Sequence, residues 1–159
     1  MKRGKGCGVA ATGEIPIVHV PCTLPSSTVS RILVIDDEDA IRRVVRRLLE
    51  LEGHAITEAA SGSEALQVLG QQSFDVILTD VYMPNLDGIE LLRQIQKTGQ
   101  PMPAIVAMSG EFSPNRADML RTMEALGATD TLAKPFTTEE LHATITRAVE
   151  TSGSRDFPE

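Results

Sequence analysis

Two spacings of apolar residues alternate along this chain. Short continuous runs at residues 32–35, 76–78 and 104–108 stop at polar or turn-forming residues, the pattern of strands buried on both faces. Between them, apolar positions return every three or four residues. Ile41, Val44, Val45, Leu48 and Leu49 share one face of a predicted first helix, with Arg42, Arg43, Arg46 and Arg47 on its polar side and Gly53 as its closing residue. Residues 54–58 predict a second strand. Ser61 with Glu64, and Asp87 with Glu90, form capping pairs that open helices carrying Leu66 and Leu69, then Leu91, Leu92 and Ile95. Ser113-Pro114 predicts the start of a fourth helix, with proline in its first turn and Gly127 at its end. Residues 129–133 predict a fifth strand, and Thr137 with Glu140 opens a last helix with Leu141, Ile145 and Val149 inward.

Five β–α units in succession predict a parallel sheet covered by helices on both faces, with right-handed crossovers. They fill residues 31–150. Residues 1–30 break this regularity. Lys2, Arg3 and Lys5 look like the basic start of a signal peptide, but Glu14, Pro16, His19 and Pro21 interrupt the apolar core that should follow. The expectation is a flexible extension, with Ile15-Pro16-Ile17-Val18 as a minor docking segment, and residues 151–159 as a tail.

Composition narrows the function classes. At 159 residues with 42% hydrophobic content, the chain has enough apolar side chains for one core. A net charge of −7 argues against general nucleic-acid binding, which needs a basic surface. No stretch approaches the roughly 18 apolar residues of a membrane span. Cys7 and Cys22 form no metal or redox spacing, so a cytoplasmic protein with reduced thiols is expected.

The candidate chemistry sits at the strand ends. Asp36 and Asp37 follow the first strand, Asp80 ends the third, Ser109 the fourth and Lys134 the fifth. In a parallel sheet all five meet along the carboxyl edge, where open α/β sheets bind ligands. Three carboxylates in a partly dry cleft repel one another unless a cation neutralises them. A hard divalent ion with positions left for phosphate oxygens, Mg²⁺, suits that set. Lys134 adds a charge for Asp80 or a phosphoryl oxygen, and Ser109 adds a hydroxyl.

The motifs Ile35-Asp36-Asp37-Glu38, Thr79-Asp80-Val81-Tyr82-Met83-Pro84 with Asp87-Gly88, Met108-Ser109-Gly110 and Lys134-Pro135-Phe136, in this order, resemble the receiver domain of bacterial response regulators. The resemblance covers roughly residues 30–150. It implies a flavodoxin-like α/β sheet in the order 2-1-3-4-5 and phosphorylation of Asp80 by a histidine kinase or histidine phosphotransfer protein. It further implies Mg²⁺ held by Asp37, Asp80 and the backbone carbonyl of Tyr82, with Asp36 acting directly or through water. Lys134 would pair with Asp80 before transfer and with the phosphoryl group after it, while Ser109 would swing to bond that group. The Lys134-Pro135 peptide would be cis, and Tyr82 and Glu111 would tune the access of water.

Such a protein catalyses only its own phosphorylation and dephosphorylation. Since no output domain follows residue 150, a single-domain regulator is expected, acting on a downstream protein through helix 4, strand 5 and helix 5, with Met119 and Met123 more core than contact. The arginines of the first helix form either a solvated face or a docking strip for an acidic partner. One position departs from the resemblance: the residue three before the lysine is usually Tyr or Phe, and here it is Thr131. Two rivals stand beside this reading. One is a binding module of the same fold that is never phosphorylated. The other is a haloacid-dehalogenase-type phosphatase using Asp37 as nucleophile, since Asp37-Glu38-Asp39 gives a DxD after the first strand.

Overall fold

The computed structural model describes residues 29–110 and 115–153. The elements alternate strictly: β1 (Arg31–Ile35), α1 (Asp39–Leu51), β2 (Ala55–Ala59), α2 (Gly62–Leu69), β3 (Val76–Asp80), α3 (Gly88–Lys97), β4 (Ala104–Gly110), α4 (Arg116–Ala125), β5 (Asp130–Lys134) and α5 (Thr138–Gly153). All strand pairs are parallel, in the order β2-β1-β3-β4-β5. This is the flavodoxin-like arrangement. Residues 1–28, including Cys7, Cys22 and the 15–18 segment, lie outside the described residues.

Alternation along the strands divides the core into two layers. Leu33, Ile35, Ile77, Ile105 and Ala107 face α2, α3 and α4, while Ile32, Val34, Val76, Leu78, Val106 and Met108 face α1 and α5. Every residue of β3 is buried, as expected of the central strand. The expected caps close as side-chain bonds: the Glu64 amide donates to Ser61 Oγ at 3.1 Å and the Glu90 amide to Asp87 Oδ1 at 2.8 Å. At α5 the box is reciprocal, with the Glu140 amide donating to Thr137 Oγ1 at 3.2 Å and the Thr137 amide to Glu140 Oε2 at 2.8 Å.

Three expectations are corrected. Val44 is 57% exposed, whereas Arg42 is only 9% exposed. The inward line of α1 is Arg42, Val45 and Leu49, at i, i+3 and i+7, which leaves Val44 one step of about 100° off the buried face. Second, the fourth helix begins at Arg116, past the Ser113-Pro114 pair expected to open it, which lies outside the described residues. Third, α5 runs on to Gly153, so the first residues of the expected tail are helical. Met123 is fully buried and Met119 packs against the α4-side core, as expected.

Candidate functional site

Asp36, Asp80 and Lys134 come together at the carboxyl edge of the sheet. Asp36 is fully buried and held at every polar point. Its Oδ1 accepts from the Glu38 amide at 2.8 Å, its Oδ2 from Lys134 Nζ at 2.5 Å, and its carbonyl from Arg42 Nη1 at 2.6 Å. Asp80 Oδ2 lies 3.3 Å from the same ammonium, and its Oδ1 accepts from the Tyr82 amide at 3.3 Å. Asp37 is exposed. One carboxylate oxygen from each of Asp36, Asp37 and Asp80 can be chosen so that all lie within 4.8 Å of one another. That donor set, three carboxylate oxygens converging beside open solvent, fits a hard divalent cation.

The charges are set against burial. Asp80 is 7% exposed, and burial lifts its pKa above the ordinary carboxylate range. The nearby Asp36 charge adds to the rise, while the Lys134 charge and the Tyr82 amide oppose it. Burial alone would lower the Lys134 ammonium, but its bond to Asp36 and the charges of both aspartates outweigh that and raise it. Lys134 is thus a fixed cation shared by two carboxylates. The Lys134-Pro135 peptide that follows is cis, as the motif implies.

Ser109 sits one residue beyond Met108, the β4 partner of Asp80 in the sheet register. It is buried, and its hydroxyl accepts a 3.1 Å bond from Nε of Arg116, the first residue of α4. Tyr82 is half-buried, with its ring against the α2–α3–α4 core. Thr131 pairs in register with Ala107 and so faces the same side as α4. Glu111 lies outside the described residues.

Three further residues shape the site. Arg42 reaches back from α1 to the Asp36 carbonyl, bonds Asp39 at 2.5 Å and approaches Glu58 at 3.8 Å. Its i, i+3, i+7 relation to Val45 and Leu49 was a readable signal for burial. Gly88 packs against the end of β3: a Cβ there would meet the Asp80 carbonyl oxygen at 2.7 Å. Arg116 reaches Ser109 seven residues back in the chain, and no periodicity marks such a contact. Two of the three remaining α1 arginines are paired within the chain, Arg43 with Asp39 and Arg46 with Glu50 and Glu58. That favours the solvated-face reading over a free cationic strip.

The family model described as "Response regulator receiver domain" matches residues 32–146. The chain belongs to this family. The receiver domain is 35% identical over 124 residues to YkoG of Bacillus subtilis, an uncharacterized transcriptional regulatory protein, covering 78% of this chain and 53% of that one. It is 40% identical over 113 residues to the response regulator MprA of Mycolicibacterium vanbaalenii, covering 71% and 47%. The chain thus spans about half the length of these relatives. Among solved structures, it superposes on a response regulator receiver domain protein from Clostridium thermocellum with a TM-score of 0.70 at 33% identity, over 79% of this chain and 98% of that one. The chemotaxis protein CheY4 of Vibrio cholerae gives 0.69 at 34% identity, over 76% and 98%. Among the described residues, no helix is long and apolar enough to cross a membrane.

Proposed function

We propose that this receiver domain is a phosphoacceptor, taking a phosphoryl group onto Asp80 from the phosphohistidine of a histidine kinase or histidine phosphotransfer protein. One observation carries the reading: Asp80 stands buried at the end of the central strand, 3.3 Å from Lys134, with carboxylate oxygens of Asp36 and Asp37 beside it. Asp80 Oδ attacks phosphorus, the P–O bond forms as the P–N bond to imidazole breaks, and the electron pair leaves with the imidazole nitrogen. Lys134 then exchanges its contact with the Asp80 carboxylate for one with a phosphoryl oxygen. Ser109 supplies a hydroxyl to the same group. Asp36, Asp37, Asp80 and the carbonyl of Tyr82 would hold Mg²⁺, which, when bound, draws off charge from the phosphoryl oxygens.

The phosphorylated form is read by a downstream protein through α4, β5 and α5. The name of the Bacillus subtilis relative marks that protein as a transcriptional regulator. The net charge of −7 over the full chain supports a protein partner over direct nucleic-acid contact.

Asp80 is favoured over Asp37 as nucleophile because Asp37 is exposed and lacks the lysine contact, and because the family match leaves the phosphatase reading unsupported. The never-phosphorylated reading keeps one observation in its favour, Thr131 in place of the usual ring. Acetyl phosphate with Mg²⁺ separates the readings. The expected result is one acid-labile, hydroxylamine-sensitive phosphoryl group per chain, not formed when Mg²⁺ is chelated beforehand and absent in Asp80→Asn. Steady phosphate release surviving Asp80→Asn would sink the phosphoacceptor reading. No incorporation from acetyl phosphate or any phosphorylated histidine donor would leave a binding module.

A further inference from the structure

The α4 helix is the least anchored of the five. Only Met123 of its ten residues is buried. Its N-cap residue, Asn115, sits in the left-handed region at φ 56° and makes no side-chain cap bond. Ser61, Asp87 and Thr137 accept such bonds at α2, α3 and α5, whereas α1, also without one at Glu38, is held by three buried residues. At β5 the strand facing α4 carries Thr131, so a small side chain stands where a ring would fill the space. What ties the start of α4 to the site is the 3.1 Å bond from Arg116 Nε to Ser109 Oγ.

We propose that Arg116 is a positioning residue that holds Ser109 in the unmodified protein and couples it to α4, in place of the ring missing at Thr131. The proposal deepens the phosphoacceptor reading and rests on it. The Ser109 hydroxyl is buried, and a turn about its Cα–Cβ bond moves its oxygen as well as its proton. When that hydroxyl turns to donate to a phosphoryl oxygen on Asp80, it leaves the guanidinium, and the first turn of α4 loses its tie to β4. An element with few buried contacts and an uncapped start is the one such a loss loosens. The signal therefore leaves the site through a hydrogen bond to a helix terminus.

The sign of the effect separates this from a purely local role. A cation at the first position of a helix opposes the helix dipole, and alanine has the higher helix propensity. If Arg116 acted only within α4, Arg116→Ala would slow amide exchange across residues 116–125. A tie to Ser109 requires the opposite.

The test is hydrogen–deuterium exchange of residues 116–125 in the full chain, unmodified and after acetyl phosphate with Mg²⁺, with phosphoryl incorporation read separately by intact mass. In wild type, phosphorylation is expected to raise exchange about fivefold, the size of one lost hydrogen bond. Unmodified Arg116→Ala should already exchange at the phosphorylated rate, take up phosphoryl groups at least as fast as wild type because Ser109 is free, and change no further. Unmodified Ser109→Ala should match it, and the double variant should add nothing, the mark of a shared interaction. Arg116→Met keeps the aliphatic stem without any donor and should resemble Arg116→Ala. Slower exchange in Arg116→Ala, additive variants, or a full phosphorylation response without Arg116 would overturn the proposal. Absent incorporation in wild type would instead overturn the phosphoacceptor reading. The unmodified proteins would then still decide the tie, equal exchange in wild type and Arg116→Ala refuting it.

Discussion

The two helices that flank the site, α1 and α4, are held in opposite ways. From α1, the buried Arg42 grips the Asp36 carbonyl, Asp39 and Glu58, while Val45 and Leu49 lie in the core of a helix that packs on β1 and β2. From α4, one arginine reaches one serine and one methionine is buried. The first arrangement fixes the groups that must meet a phosphoryl group within tenths of an ångström. The second leaves an element that a single rearranged bond can shift. On the proposed reading, chemistry sits on the rigid side and response on the loose side.

Predictions follow this contrast in order of size. Asp80→Asn should abolish phosphoryl incorporation outright while Asp36 and Lys134 keep their ion pair. Retained labelling would move the chemistry off the central strand. Gly88→Ala should cost about 1–3 kcal/mol in urea unfolding, because its Cβ would press on the Asp80 carbonyl at 2.7 Å and that backbone has to give way. Arg42→Met should cost about 2 kcal/mol by stranding the buried Asp36 carbonyl, whereas Arg116→Ala should change global stability by no more than about 0.5 kcal/mol. Equal costs for the two arginines would erase the contrast. Thr137→Ala, which removes one half of the α5 capping box, should cost about 1 kcal/mol.

The smallest effect concerns pH and lies at the other end of the sheet. Burial lowers the His54 pKa from 6.5, the charge of Glu52 works against that, and His142 adds to the lowering. His142 bonds Glu52 at 3.0 Å. The unfolded chain therefore protonates His54 first as pH falls. Its contribution to stability is full above about 6.5 and is lost on acidification toward the lower folded pKa. His54→Gln should flatten the stability profile in that window; an unchanged slope would show that His54 carries none of it.

Much of this was legible in the sequence. Continuous apolar runs located β1, β3 and β4, and capping pairs three helix starts, to within a residue or two, because burial and caps are local signals. The five site residues fell on one edge because a parallel sheet places every strand's carboxyl end there. What escaped were contacts that local pattern does not encode. Val44 read as inward because any apolar residue near the face scores alike, while Arg42 was hidden by its charge although its aliphatic stem and guanidinium both find partners inside. The start of α4 misled because Ser113-Pro114 is a good opening signal, yet the helix begins at Arg116. The link from Arg116 to Ser109 depends on where two elements end in space, and only the fold supplies that.

The central claim, that Asp80 receives the phosphoryl group, is tested most directly by trapping the acyl phosphate. Borohydride reduction after treatment with acetyl phosphate and Mg²⁺ converts the modified aspartate to homoserine, and peptide mass mapping locates it. The account expects homoserine in the place of Asp80 and nowhere else. Conversion at Asp36 or Asp37, with Asp80 intact, would contradict it.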